Sequence, residues 1–310
     1  MNQLIKSEQR YLTNTVTPDL MRRFVGFIDA RPKTIETYTR ALKQFVRFLA
    51  ENDIETPKRE DIINYREQLK ATGHKPGTVS LYIISVRQFF KWTGSEGIYP
   101  DVGINIKGSK IDKTHKKDPL TSNQIKSVLQ GIDRETLRGA RDYAILATMT
   151  TGGLRDIEIS RAAVDDMRAL GDSTVLYIQG KGHDERSDYV KIPEPTEKAI
   201  RRYLMIRGPV DGTAPLFESL SHNNQGQHMT TRSISRIVKD RFIAAGLNSD
   251  RLTAHSLRHT AATLNLLNGG TLDETQQLLR HTNINTTLIY SHHLDRLKNQ
   301  SESRIATAIF

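Results

Sequence analysis

The chain has 310 residues, 37% hydrophobic and 26% charged, which is enough for two compact cores. Lysines and arginines number 45 against 35 aspartates and glutamates, and the resulting charge of +10, with a pI near 9.7, attracts polyanions and favours nucleic acid as a partner. The absence of cysteine excludes disulfides, thiolate zinc sites and cysteine nucleophiles.

The opening residues MNQLIKSEQRYL contain no apolar signal core, and no apolar run is long enough to cross a bilayer, so the expected compartment is the cytoplasm. Residues 1–16 are too few to fold alone and read as an extension. Four helical segments follow: TPDLMRRFVGFIDA, KTIETYTRALKQFVRFLAEN, REDIINYREQLKAT and KPGTVSLYIISVRQFFKWTG. Pro32, Pro57, Gly73, Pro76, Gly77 and Gly94 punctuate them. In the second segment Ile35, Tyr38, Leu42, Phe45 and Leu49 step by three and four, forming one helical stripe. Residues 17–105 therefore read as a four-helix domain. Next, GINIKGSKIDKTHKKDPLT carries Lys107, Lys110, Lys113, Lys116 and Lys117 without an apolar period. Its basic centre, 106–118, reads as a linker, either a solvated tether or a strap lying along phosphates.

Residues 119–298 have a mixed pattern. RGARDYAILATMT is a buried helix stopped by Gly152 and Gly153. STVLYIQG and SDYVKIP alternate as two strands, with GKGHDER as the turn between them. Helical patterns return in TEKAIRRYLMIR, TRSISRIVKDRFIAAG, HSLRHTAATLNLLNGG, TLDETQQLLRH and NTTLIYSHHL, and Thr271 with Glu274 has capping-box spacing. Residues 299–310 form a tail with Ile305, Ile309 and Phe310 as apolar anchors. The expected fold class is mainly α with a small β-sheet in the C-terminal domain.

HSLRHT starts a helix with two histidines and an arginine. His255 and His259 have the spacing of two zinc ligands, but Ser256 stands where a zinc protease has glutamate, and Arg258 sets a fixed charge beside any cation. Arg258 and His259 also resemble the arginine-histidine-glycine signature of phosphohistidine phosphatases, yet Thr260 follows inside a helical pattern. His255 and Arg258, three apart, share a face, where a guanidinium fork suits phosphate oxygens and an imidazole can move a proton. Alone, the pair fits solvated surface equally well. Other candidates join them. Arg155 follows a glycine turn at a helix start, where orphan amides favour an anion, although a surface pair with Glu158 is the plainer account. Lys181 sits at a hairpin tip, and His281 and Tyr290 lie nine residues apart. Tyr290 taken singly would be a core residue beside Leu288 and Ile289.

In order and spacing, Arg155, Lys181, His255, Arg258, His281 and Tyr290 resemble the tyrosine recombinase, or phage integrase, family. Its pattern is an arginine in a T-G-x-x-R-like turn, a hairpin lysine, H-x-x-R, a histidine or tryptophan, and a tyrosine nine residues beyond. HSLRHT, the hairpin GKG and the TT-x-x-Y ending at Tyr290 are close to that pattern, which spans about 119–295. Arg280 departs from it, since members generally have glycine there.

The resemblance implies a helical core-binding domain followed by a catalytic domain, the two closing as a clamp around double-stranded DNA with the lysine linker crossing the backbone. It implies that Tyr290 attacks the scissile phosphate, leaving a 3′-phosphotyrosine and a free 5′-hydroxyl, with no ATP, metal or other cofactor. Arg155 and Arg258 would hold the non-bridging oxygens, and Lys181 would protonate the departing 5′-oxygen. His255 would assist proton transfer, His281 would hydrogen-bond the phosphate, and Glu158 would support Arg155. The implied assembly is a homotetramer on two inverted-repeat core sites, exchanging strands through a Holliday junction in a prokaryotic, nucleoid-associated setting. The tail would dock on a neighbouring subunit. Without an obvious arm-binding domain, the likeness is to simple, Xer-type members. Competing expectations are a type IB topoisomerase, a non-catalytic DNA-binding regulator and a phosphatase.

Overall fold

The computed structural model describes residues 16–110, 117–180, 185–290 and 299–310. Lys113, Lys116, Lys181 and most of the extension lie outside the described residues, as do 291–298. The chain divides into two compact units, one ending at Thr114 and the other beginning at His115.

In the first unit α1 (Pro18–Phe27), α2 (Pro32–Glu51), α3 (Arg59–Ala71) and α4 (Pro76–Ser95) match the four apolar patterns. Three of them open on proline, whose fixed φ and missing N–H suit a first helical turn. Thr17 caps α1 by accepting from the Leu20 N–H at 3.2 Å. Helix α4 packs on α2 and α3 around an aromatic core. Phe45 meets Tyr65 at 5.1 Å between ring centroids, and Phe24 meets Phe89 edge-to-face at 5.4 Å. Of the α2 stripe, Leu42, Phe45 and Leu49 are buried, while Ile35 and Tyr38 are only partly covered.

The basic stretch is fastened at both described ends. In the first unit Ile106 enters the core, Arg66 donates to the Lys107 carbonyl at 2.9 Å, and the Ser80 hydroxyl donates to the Ser109 carbonyl at 2.9 Å. A Cβ at Gly108 would stand 2.7 Å from the Ser80 hydroxyl, so only glycine permits that approach. Lys107 and Lys110 remain exposed. In the second unit the Lys117 ammonium donates to the Asp250 carbonyl at 2.7 Å, and Asp118 pairs with Arg251 at 2.7 Å.

The second unit comprises α5 (Ser122–Gln130), α6 (Leu137–Thr151), α7 (Asp156–Arg161), a three-stranded antiparallel sheet, α8 (Glu194–Arg207), α9 (Thr231–Ala244), α10 (Ala254–Leu267), α11 (Leu272–Leu279) and α12 (Ser301–Ile309). Strands β1 (Met167–Leu170), β2 (Ser173–Ile178) and β3 (Asp188–Lys191) pair in sequence order, Met167 opposite Leu176 and Tyr177 opposite Tyr189. Helix α6 is the axis of the unit and packs on α8 and α10. Its buried face includes Arg141 and Asp142, and Asp142 accepts from both Arg141, at 2.8 Å, and Arg241 of α9. Among the described residues no helix is long and apolar enough to cross a membrane.

Candidate active site

The site is assembled where the turn after α6, the start of α10 and the end of α11 converge. Gly153 in that turn has φ +57°, and a Cβ there would lie 2.9 Å from the Leu279 side chain, so both the conformation and the close approach require glycine. Arg155 then caps α7. The buried Glu158 carboxylate accepts from its guanidinium at 2.8 Å and from its backbone N–H at 2.8 Å. The amide expected to attract an external anion at this helix start is therefore already satisfied from within the chain.

Arg258 is 1% exposed. Its guanidinium donates to the Gly153 carbonyl at 2.5 Å and to the Leu279 carbonyl, joining the α6–α7 turn to the end of α11. Burial, reinforced by the charges of Arg155 and Arg280, pulls its pKa down to about 9. Such a cation is stabilised by any anion that enters.

Arg280 ends α11 in the left-handed region at φ +52°, ψ +49°, a conformation that costs a side chain about 1 kcal/mol. Its guanidinium donates to the Leu278 carbonyl at 2.6 Å and to Glu158 at 2.9 Å. Weaker bonds reach the Gly152 and Gly153 carbonyls, each at 3.3 Å. These contacts offset the backbone cost. Next to it, the His281 Nδ1 shares a 2.9 Å hydrogen bond with the fully buried Thr287 hydroxyl, which fixes the ring. Burial and then the charges of Arg258, Arg155 and Arg280 push His281 down to about 4, so its ring is neutral at pH 7.

Residues 285–290 are helical and carry Tyr290, 6% exposed, into a small cluster with Ala262 and Leu279. Burial raises its phenol to about 12, while the charges of Arg258 and Arg155 pull it down. His259 packs 5.3 Å from the Tyr290 ring, and His255 meets His259 edge-to-face at 4.8 Å. His255 is at the exposed end of this series; the protein around it and the Arg258 charge hold its imidazole below the usual range.

The fold thus brings Arg155, Glu158, His255, Arg258, His281 and Tyr290 into one electrostatic neighbourhood, since the charges of Arg155 and Arg258 act on His255, His281 and Tyr290 alike. Lys181 lies outside the described residues; Gly180, just before it, accepts from Arg161 of α7 at 3.1 Å. Sequence reasoning gave Arg280 and Thr287 no role and weighed His259 only as a zinc or phosphatase residue. A separate concavity of about 310 Å³ is lined by Arg138 and Arg141 of α6 and by Arg232, Arg236 and Asp240 of α9. Chemically, the main site sets three guanidiniums around one carboxylate beside a phenol, an arrangement suited to a phosphodiester.

Residues 119–296 match the phage integrase family, and residues 28–97 match the phage integrase N-terminal SAM-like domain. Tyrosine recombinase XerC of Pelobacter propionicus is 31% identical over 277 residues, covering 86% of this chain and 87% of the relative. Tyrosine recombinase XerD of Listeria innocua is 29% identical, covering 88% and 94%. Two solved structures share the fold. The XerH site-specific recombinase bound to palindromic difH substrate has a TM-score of 0.72 at 21% identity, over 88% of this chain and 80% of that one. A lambda integrase dimer bound to a COC′ core site has a TM-score of 0.68 at 16% identity, over 86% and 95%. The chain belongs to the phage integrase family. It is accordingly a tyrosine-type site-specific recombinase, an enzyme that breaks and rejoins DNA strands.

Proposed function

We propose that Tyr290 is the nucleophile and that its phenolic oxygen displaces the 5′-oxygen of a DNA phosphodiester, forming a 3′-phosphotyrosyl bond and releasing a 5′-hydroxyl. The observation that carries this is the positive charge beside Tyr290: Arg258 and Arg155 act on its phenol, and they and Arg280 gather about the Glu158 carboxylate. Arg155 and Arg258 bind the two non-bridging oxygens and stabilise the extra charge of the pentacoordinate state, the work that a metal performs in other phosphoryl-transfer sites. His281, neutral and oriented by Thr287, donates a hydrogen bond to the phosphate. His255 relays the phenolic proton, and Lys181 protonates the leaving oxygen. Glu158 orients Arg155.

The substrate is double-stranded DNA with inverted-repeat core sites, engaged in part through Lys107, Lys110, Lys113, Lys116 and Lys117, and the active assembly is a tetramer that passes through a Holliday junction. Helix α12 supports subunit exchange of the tail, because Ile305 and Ile309 share a face and are 59% and 67% exposed, with Phe310 fully exposed beyond them. Deleting residues 300–310 should reduce recombination far more than binding to a single site; equal loss of both would remove the tail from the assembly.

The test of the chemistry begins with selection of bound sequences from a random duplex library. A nicked duplex carrying the selected sequence should trap a denaturant-resistant protein–DNA adduct through Tyr290, without magnesium. Tyr290→Phe should bind the duplex and form no adduct. Attachment through another residue, or a requirement for magnesium, overturns the proposal. Relaxation of plasmids lacking the selected sequence would favour a topoisomerase.

A further inference from the structure

Arg280 stands at a left-handed position where the family pattern has glycine, and its side chain is only 8% exposed. A residue placed there without a task would extend into solvent; this one turns inward. It is the second guanidinium to bridge the same two backbone segments. Arg258 joins the Gly153 and Leu279 carbonyls, and Arg280 joins the Gly152, Gly153 and Leu278 carbonyls, so the two arginines share one acceptor and otherwise occupy its neighbours. Arg280 also takes a share of Glu158. One carboxylate oxygen accepts from the Arg155 guanidinium, and the other accepts from the Arg155 N–H and from Arg280.

From this geometry we infer that Arg280 is a positioning residue for the two phosphate-binding arginines of this chain, acting through Glu158 and through the carbonyls that hold Arg258. Dividing the Glu158 charge between two guanidiniums leaves that of Arg155 less neutralised and better able to bind a phosphate oxygen. Bracing the α6–α7 turn against the end of α11 fixes where Arg258 points. Glycine at 280 would fit the backbone but do neither. Here Arg280 does through its side chain what a glycine-containing site must do by other contacts. The inference rests on the phosphotyrosyl reading above.

The test uses the full chain and the nicked duplex bearing the selected sequence, with affinity and the rate of adduct formation measured separately. Arg280→Gly is compatible with φ +52° and should bind the duplex within about threefold of the parent, yet form adduct about 10- to 100-fold more slowly, because a small displacement of a charge clamp costs rate rather than affinity. Arg280→Lys, which keeps the charge but not the fork, should recover part of that loss. Combining Arg280→Gly with Glu158→Gln should slow the reaction by clearly less than the product of the two separate losses, since part of the Arg280 effect passes through Glu158.

An unchanged adduct rate in Arg280→Gly overturns the inference, as do fully additive losses in the double variant or loss of affinity equal to loss of rate. If Arg280→Gly does not fold, Arg280→Lys decides alone: a rate loss without affinity loss supports positioning, and a parental rate overturns it. Absence of an adduct with the parent chain would instead overturn the phosphotyrosyl reading, and this inference with it.

Discussion

Among the described residues the buried charged side chains, Arg141, Asp142, Glu158, Asp166, Arg207, Arg258 and Arg280, belong to the second unit, whereas the first buries aromatic rings and, as polar groups, the hydroxyls of Tyr65, Ser80, Ser85 and Thr93. Burying an ion costs several kcal/mol unless partners surround it. The first unit avoids that cost and gains rigidity from rings such as Phe24, Phe45 and Phe89. The second accepts it in several places, and two of them have different results. Asp142 lies between two arginines and its charge is fully answered, which makes it structural. Around Glu158 a third guanidinium, that of the buried Arg258, stands beside the two that pair with the carboxylate, which makes that place receptive. Buried charge alone does not mark a site; a buried arginine held by carbonyls rather than by a carboxylate, as Arg258 is, does.

Breaking each class of interaction should therefore produce a different failure. Arg258→Ala should lower the rate of adduct formation about 10³-fold, near 4 kcal/mol in the barrier, with a much smaller change in DNA affinity measured by gel shift. Phe45→Ala should cost about 3–5 kcal/mol in denaturant unfolding of the first unit, by opening a cavity in its core. Asp142→Asn leaves two guanidiniums facing a neutral amide and should destabilise the second unit by about 3 kcal/mol, reported by its thermal transition. Lys107→Ala with Lys110→Ala, two exposed residues of the first unit, should leave stability unchanged and flatten the logarithmic salt dependence of DNA binding by about 2.

A further effect concerns pH. The folded pKa of His281, about 4, lies below the ordinary value of 6.5, so between those values the unfolded chain binds a proton that the folded chain refuses. Stability contributed by its neutral burial is complete above pH 6.5 and declines as pH falls toward 4. His281→Asn should flatten the slope of the melting temperature in that window relative to the parent chain, and identical slopes would place the charge repulsion elsewhere.

The pattern of apolar residues carried most of the helices, because each was a local periodicity closed by a local stop signal. The capping box at α11 was equally legible: the Thr271 N–H donates to Glu274 at 2.7 Å and the Glu274 N–H to Thr271 at 3.1 Å. Strand β1 was missed because only Met167 of its four residues is even partly buried, leaving no alternation to read. Helix α5 buries only Ile125 and Val128, too short a stripe to declare itself. In the site, the order of Arg155, Arg258, His281 and Tyr290 was legible as a spacing, but the burial of Arg280 was not. An arginine reads as surface until its partner is known, and Glu158 lies 122 positions away in the chain. The expected anion at the start of α7 went astray for a similar reason, since Glu158 turned back onto the Arg155 amide.

Three guanidiniums gathered about one carboxylate also mean that the ligand-free second unit works against its own electrostatic repulsion. Any tetrahedral oxyanion small enough to enter relieves it, so occupancy and folding are thermodynamically linked. Sulfate or inorganic phosphate in an ordinary buffer would then act simultaneously as a thermal protectant and a competitor of DNA, and a rise in melting temperature would report how full the site is.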